Sequence, residues 1–313
     1  MKALISRSYG PLDDLVLDDL PMPTPGPGWV RARAEAVALN PADRALVLGL
    51  MKDVLPIDHP FIPGIDISGV VDAVGDGVAR FNVGDPIIAW QGVPSGALAE
   101  YVLVKEAPSA ALRPPGLDAE HGAGLPTGAL TAAALLDLMR PGPHATLLVI
   151  GATGGVGSFA VQLAKRAGLT VLATGREDDR DYLGRLGADS MIDRDANIAE
   201  AARRIAPGGV DVVIDLVNAG AALTETAAAT RPRGQVISPK GGPSTFDREV
   251  TGSYGGTTTP EGRLDQLAGL AADGRLQVEI GARYPFGQAK QALIDFPTRH
   301  VRGKVVITIG EDR

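Results

Sequence analysis

Residues 145–157 read ATLLVIGATGGVG, an apolar run that ends in glycines at 151, 154 and 157. Thr146 to Ile150 are β-branched or leucine, the composition of a strand covered on both faces. Each glycine has its own task in such a turn: Gly151 makes the tight bend, Gly154 lets backbone approach a pyrophosphate, and Gly157 permits close helix–strand packing. Val156, Phe159, Ala160, Leu163, Ala164 and Ala167 then repeat at helical spacing, so the turn opens a helix whose first N–H groups point at an anion. Thr153, Gly155 and Val156 complete the loop expected around the diphosphate. Gly168 closes that helix, and LTVLAT begins a second strand. An ordinary tight turn is the alternative, but strand, turn, helix and strand in succession favour a dinucleotide site.

The end of the second strand selects the nucleotide, because about 20 residues after the turn an acidic side chain would bond the ribose 2′-hydroxyl of NAD. Here the chain reads Ala173, Thr174, Gly175, Arg176, with no carboxylate at the strand end. A 2′-phosphate is tolerated there, and Arg176 can pair with it. Arg180 and Arg194 lie further along and can add to a positive pocket; Ser238, ending GQVIS, joins the cofactor-binding candidates. NADPH is therefore the expected cofactor. Each arginine has an alternative as a solvated charge, and Glu177, Asp178 and Asp179 stand near enough to neutralise Arg176.

Composition sets outer bounds. A chain of 313 residues, 45% hydrophobic, buries a substantial core and divides more naturally into two domains than one. The net charge of −7 and the lack of a basic block argue against nucleic-acid binding as the main activity. There is no cysteine, hence no disulfide, thiolate nucleophile or cysteine zinc site. MKALISRSYGPLDDL has no apolar signal core and no apolar run reaches ~18 residues, so a cytoplasmic location without membrane spanning is expected.

Two textures follow one another. Up to about residue 120, short strand-like runs are broken by proline and glycine: PMPTPGPG at 21–28, PGIDISGVVDAVGDGV at 63–78 and VGDPIIAW at 83–90. Over 121–256 strand and helix alternate, with ATLLVI, LTVLAT, DSMID, VDVVIDLV and GQVIS as strands, the pattern of a doubly wound parallel sheet. Helices are expected over Glu261–Ala272 and around Gln288–Ile294, and VRGKVVITI is expected to rejoin the first domain. The fold class is α/β: a mostly β domain of residues 1–120 and 257–313, and a dinucleotide-binding domain of residues 121–256.

NPAD at 40–43, PGIDISGVV at 63–71, VGD at 83–85, GALAEYVLV at 96–104, GALTAAALL at 128–136, GATGGVG at 151–157, LGADSMID at 186–193, VDVVID at 210–215 and HVRGKVVI at 300–307 occur in the order found in one family. With them the chain resembles a zinc-independent medium-chain dehydrogenase/reductase of the quinone oxidoreductase, zeta-crystallin-like branch. The resemblance implies a GroES-like catalytic domain, a Rossmann domain, NADPH, a homodimer, and hydride transfer to a quinone or an α,β-unsaturated carbonyl. It implies dimerisation by edge pairing near Thr251–Tyr254.

Zinc-dependent relatives place a cysteine where Asn40 stands and a histidine where Ile65 stands; only Asp66 remains as a remnant, and one carboxylate makes no zinc site. A tyrosine usual in the branch is Ala45 here, which enlarges the pocket and removes a donor. The catalytic candidates are Asn40, which can bond nicotinamide, ribose or substrate carbonyl or else start a turn before Pro41; Thr131, matched to the family threonine on the cofactor side or else buried in a helix; and Tyr254, in the substrate cleft or simply packed. Asp43 reads as a surface or helix-capping carboxylate. Tyr101 and Lys105 share the spacing of the short-chain dehydrogenase pair, but they precede the glycine turn in a strand-like run. His59, His121, His144 and His300 have no metal or triad spacing. Two further functions stay open: a biosynthetic tailoring reductase acting on a larger unsaturated substrate, and a non-catalytic NADPH-binding or sensor protein.

Overall fold

The computed structural model describes residues 1–310 except 93–95, 141, 143 and 297–299. It divides into two compact units, Met1–Thr127 with Thr259–Arg313, and Gly128–Thr258.

The first unit opens with β1 (Lys2–Ile5) paired antiparallel to β2 (Val16–Asp19). Then come β3 (Trp29–Leu39), α1 (Pro41–Val47), β4 (Asp66–Val74), β5 (Pro86–Trp90), β6 (Tyr101–Lys105), β7 (Ala110–Leu112), α2 (Ala119–Gly124) and the start of α3 (Pro126–Asp137). Strand β3 organises this unit. Its alternation buries Val30, Ala32, Ala34 and Ala36 and exposes Arg33 and Glu35 more, as a half-buried antiparallel strand requires. Irregularities between Arg31 and Ala32 and between Ala34 and Ala36 bend it, so its first half pairs with β6 while β4 runs along its length. Gly69 sits at the second irregularity, where a Cβ would come within 2.4 Å of the Arg33 carbonyl oxygen.

The second unit continues with β8 (Thr146–Ile150), α4 (Gly157–Arg166), β9 (Thr170–Gly175), α5 (Arg180–Leu186), β10 (Ser190–Asp193), α6 (Ile198–Ile205), β11 (Val210–Asp215), α7 (Gly220–Ala227), β12 (Thr230–Ser238), β13 (Thr245–Phe246) and β14 (Val250–Tyr254). Its strand order is β10-β9-β8-β11-β12-β14-β13, parallel except for β13. The order reverses direction at β8, so α4 and α5 cover one face while α6 and α7 cover the other. All five strands expected here form in the parallel sheet.

One expectation needs correcting. Strand β14 was the edge expected to pair across a dimer, but β13 lies antiparallel against Val250 and Thr251, and Gly252 N–H donates to the Ser244 carbonyl at 2.8 Å. The chain covers this edge with its own segment, one of the devices that block unwanted strand addition.

The chain returns to the first unit through α8 (Arg263–Ala272), β15 (Ile280–Pro285), α9 (Ala289–Asp295) and β16 (Lys304–Thr308). Strand β16 inserts between β15 and the second half of β3, pairing Val305 with Leu39 and Thr308 with Ala36. Its first four positions are all buried, and the first of them is a lysine.

Candidate active site

In the second unit the carboxyl ends of the parallel strands carry the glycine turn and both arginines. Gly151 leaves β8 with φ +82°, and a Cβ on it would stand 2.7 Å from Val217 Cγ2. A Cβ on Gly157 would lie 2.1 Å from the Gly151 carbonyl oxygen and 2.7 Å from Ala152 Cα, so α4 starts in contact with the turn itself. Gly154 differs. The nearest atom to its Cβ would be the Gly151 carbonyl oxygen at 3.5 Å, an ordinary contact, so nothing in the chain demands glycine there. The space left there can take a diphosphate lying against the backbone.

Neighbouring groups hold the turn in place. Gly151 N–H donates to Thr174 Oγ1 at 3.0 Å, joining the ends of β8 and β9. A Cβ on Gly128 of α3 would come within 2.3 Å of the Gly155 carbonyl oxygen, so that helix abuts the loop; Thr153 is buried and Val156 precedes the first turn of α4. Buried Asp215, at the end of β11, accepts from Val217 N and Asn218 N at 2.9 and 2.8 Å and from Thr226 Oγ1 at 2.7 Å. Lys240 Nζ donates to the Val217 carbonyl, and its N–H donates to Ser238 Oγ at 3.1 Å. Asp215 and Lys240 thus fix the loop that flanks Gly151, a role the sequence pattern VDVVID did not announce.

Arg194 N–H donates to the Gly175 carbonyl at 2.9 Å, one step past the Asp193–Gly175 pair, so Arg176 and Arg194 leave adjacent strands side by side. The acidic residues after Arg176 do not neutralise its guanidinium. Asp179 accepts from the Arg176 backbone N–H at 2.9 Å, and Glu177 forms a two-pronged pair with Arg180 whose guanidinium holds its carboxyl below the usual range. Among the described residues the Arg176 guanidinium has no carboxylate partner. Arg194 has only an exposed contact to Asp195 at 3.5 Å, the kind worth little in water. Thr131 Oγ1 bonds Thr257 Oγ1 at 2.7 Å, and Tyr254 donates to the Pro243 carbonyl at 2.5 Å, its phenol pushed up by burial.

The first unit holds a different constellation, buried and charged. Asn40, immediately before α1, meets Asp66 at the start of β4 and Lys304 at the start of β16, and Asp66 in turn meets Thr127 at the start of α3. Lys304 Nζ donates to Asn40 Oδ1 at 2.6 Å and to Asp66 Oδ2 at 3.1 Å. Asn40 Nδ2 donates to Asp66 Oδ2 at 3.0 Å and to the Ala38 carbonyl at 3.3 Å. Thr127 donates to Asp66 Oδ1 from both its hydroxyl, at 2.6 Å, and its backbone N–H, at 3.0 Å. Because an ammonium only donates and a carboxylate only accepts, the orientation of the Asn40 amide is determined by its partners. Both of its N–H bonds are taken. A role for Asn40 as the donor that orients a substrate carbonyl is therefore corrected: it has only an oxygen lone pair left to offer.

Asp43 is the helix-capping alternative, not the surface one. It is fully buried, accepts from Asn40 N at 2.7 Å and Gly64 N at 3.0 Å, and burial pushes its carboxyl up to about 7 against those two N–H groups. Ala45 lies on α1, partly buried; Tyr101 and Lys105 lie on β6 rather than on a helix. His121 pairs with Asp118, and the His59 Nδ1 lies 3.2 Å from the Ser6 carbonyl. Neither joins a site.

Sequence reading missed Lys304 and Thr127. The only sign of Lys304 was a lysine heading an otherwise apolar strand.

A doubly wound parallel sheet with a glycine turn at its switch point, beside a separate antiparallel unit, is the class of fold that carries dinucleotide sites. Residues 26–114 match the alcohol dehydrogenase GroES-like domain, and residues 186–307 match a zinc-binding dehydrogenase domain. Quinone-oxidoreductase QR1, chloroplastic, of Triphysaria versicolor is 32% identical over 310 residues, covering 92% of each chain. The NADPH-dependent alkenal/one oxidoreductase, chloroplastic, of Arabidopsis thaliana is 30% identical, with 98% of this chain and 79% of that one covered. Among solved structures, the quinone oxidoreductase of Coxiella burnetii superposes with a TM-score of 0.85 at 28% identity over 99% of both chains, and an NAD-dependent alcohol dehydrogenase with 0.90 at 30% over 99% and 100%. The chain belongs to the medium-chain dehydrogenase/reductase family, in its quinone oxidoreductase branch, and is an oxidoreductase.

The zinc in that domain description finds no donor set among the described residues. Among the described residues no group of three or more His, Cys, Asp or Glu side chains could hold a metal ion. At Asn40 and Asp66 the Lys304 ammonium already engages both side chains. No helix of the described chain is long and apolar enough to cross a membrane.

Proposed function

We propose that this chain is an NADPH-dependent reductase that works without zinc and passes hydride to a quinone or an α,β-unsaturated carbonyl. The observation that carries the cofactor choice is the unneutralised Arg176 guanidinium, beside Arg194 and next to Gly175, where an NAD-specific chain would carry a carboxylate. A doubly charged 2′-phosphate matches two arginines on neighbouring strands. The names of the similar proteins support the acceptor class, since they include both quinone and alkenal/one oxidoreductases.

When bound, the reduced nicotinamide supplies the hydride. The second unit's share is binding: Gly154 leaves room for the diphosphate, Thr174 and Asp215 hold the turn and its neighbouring loop, and the arginines select the phosphate. The first unit's buried polar cluster is the place for charge that develops on the acceptor. Side-by-side titration of the purified chain with NADPH and NADH tests the cofactor choice, and tighter binding of NADH would overturn it. A homodimer, which the family likeness suggests, is checked by light scattering against the 32.3 kDa chain mass.

A further inference from the structure

Four buried polar side chains, Asn40, Asp43, Asp66 and Lys304, meet the half-buried Thr127 in the first unit, and their hydrogen bonds can be accounted for one proton at a time. Asn40 has no free N–H, the Thr127 hydroxyl proton goes to Asp66, and Asp66 and Asp43 accept. Lys304 is the exception. Its ammonium has three N–H bonds and two acceptors, Asn40 Oδ1 and Asp66 Oδ2, with no third among the described residues. Lys304 and Asn40 each keep 4% exposure while Asp66 and Asp43 have none.

Stability alone gives little reason for such a cluster. Replacing a buried ion pair by apolar side chains of similar volume is often neutral or stabilising, whereas removing one partner is strongly destabilising. Strand β16 continues with Val305, Val306 and Ile307, all buried, and an apolar residue at 304 would complete the same pattern. A fixed cation with one unused donor, held from two sides by acceptors, is what a developing oxyanion needs.

We propose that the free N–H of Lys304 is the donor that receives the acceptor oxygen as it becomes negative. This assignment rests on the reading of the chain as a reductase of quinones and conjugated carbonyls. Hydride adds to the β-carbon of an enone, the C=C electron pair moves to form the enolate C=C, and the C=O pair moves onto oxygen. That oxygen accepts a hydrogen bond from Lys304, which keeps its proton; water then protonates the α-carbon and the carbonyl re-forms. For a quinone the same oxygen becomes that of a hydroquinone anion, which water protonates. Asn40 and Asp66 act as positioning residues, since each acts through the ammonium.

The test uses a double variant, Lys304→Met with Asp66→Asn, which removes both charges together so that no carboxylate is stranded. The Asn40 amide can then turn over to accept the new N–H. Two readouts are taken on wild type and variant. In the first, 4-nitrophenol serves as a probe of the oxyanion site. Wild type should bind it and lower its pKa by about one unit, as an adjacent cation does, while the variant leaves it unshifted. In the second, NADPH binding should change by less than about 2-fold while single-turnover reduction of an enone falls about 100-fold, the loss typical of one oxyanion donor. The fall should be smaller for an easily reduced quinone, whose hydroquinone anion is less basic than an enolate. No probe binding, an equal ionisation shift in both proteins, or enone reduction by the variant at nearly the wild-type rate would overturn the role of Lys304. Should wild type oxidise NADPH with neither acceptor, the proposed function falls, and the nitrophenol shift still decides whether Lys304 is an oxyanion donor.

Discussion

The glycine turn of the second unit and the buried cluster of the first are both small, rigid and built around unusual residues, but they are assembled over very different distances along the chain. The turn occupies seven consecutive residues, Gly151 to Gly157, with a strand before and a helix after. In the cluster, 264 residues separate Lys304 from Asn40, 238 separate it from Asp66, and 61 separate Asp66 from Thr127. A local site announces itself through spacing, because φ and packing constraints act on neighbours. A non-local site exists only once the sheet has formed, when β3, β4 and β16 bring their ends together.

The two regions also respond differently to pH, and that gives the largest expected effect. Asp43, in the first unit, has a folded pKa raised to about 7, so the protonated form is favoured by folding. Its contribution to stability is full below the unfolded value near 4 and is lost as pH rises through about 7. Three pH units at 1.36 kcal/mol each set an upper figure of about 4 kcal/mol for that loss. Urea unfolding of wild type and Asp43→Asn between pH 4 and pH 8 should show wild type losing its advantage over this window. Parallel pH dependences would remove Asp43 as the cause. The glycine turn contains no titratable group, and substitutions there should shift stability equally at all pH values.

Within the turn the glycines should separate. Gly157→Ala puts a methyl 2.1 Å from the Gly151 carbonyl oxygen, where backbone must move, and should destabilise the fold by about 1 to 3 kcal/mol along with losing NADPH. Gly154→Ala meets nothing closer than 3.5 Å and should leave thermal unfolding unchanged while weakening NADPH binding at least as much. Equal unfolding temperatures for the two variants would contradict the division between a packing glycine and a ligand glycine. The smallest effect belongs to Arg176→Ala, which should cost about 1 to 2 kcal/mol of NADPH affinity because the pair is partly exposed. NADH affinity should be unaffected, and an unchanged NADPH/NADH ratio would sink the phosphate assignment.

What was readable from the residues follows the same division. Five parallel strands, the glycine turn, the return of VRGKVVITI to the first unit and the arginines at the strand ends all rest on short-range patterns, and each forms at its expected place. Strand β13 escaped notice because it is two residues long and carries no periodicity, yet it changes the meaning of β14 by covering its edge. Asn40 was visible as part of NPAD, but its hydrogen-bonding capacity was not, because its partners come from β4 and β16. Thr127 stands four residues before the threonine singled out by resemblance, and the two have unrelated partners: Thr127 bonds Asp66 of the first unit, Thr131 bonds Thr257 of the second. Spacing alone cannot separate two threonines on one helix; only their neighbours do.

The central claim is that this chain moves hydride from NADPH to a quinone or a conjugated carbonyl. Stopped-flow mixing of the NADPH-loaded protein with a quinone and with an enone, in parallel, tests it most directly by the loss of reduced-nicotinamide absorbance. The account predicts rapid loss with at least one of the two acceptors and none without an acceptor. Tight NADPH binding with no acceptor-dependent oxidation by either would contradict it.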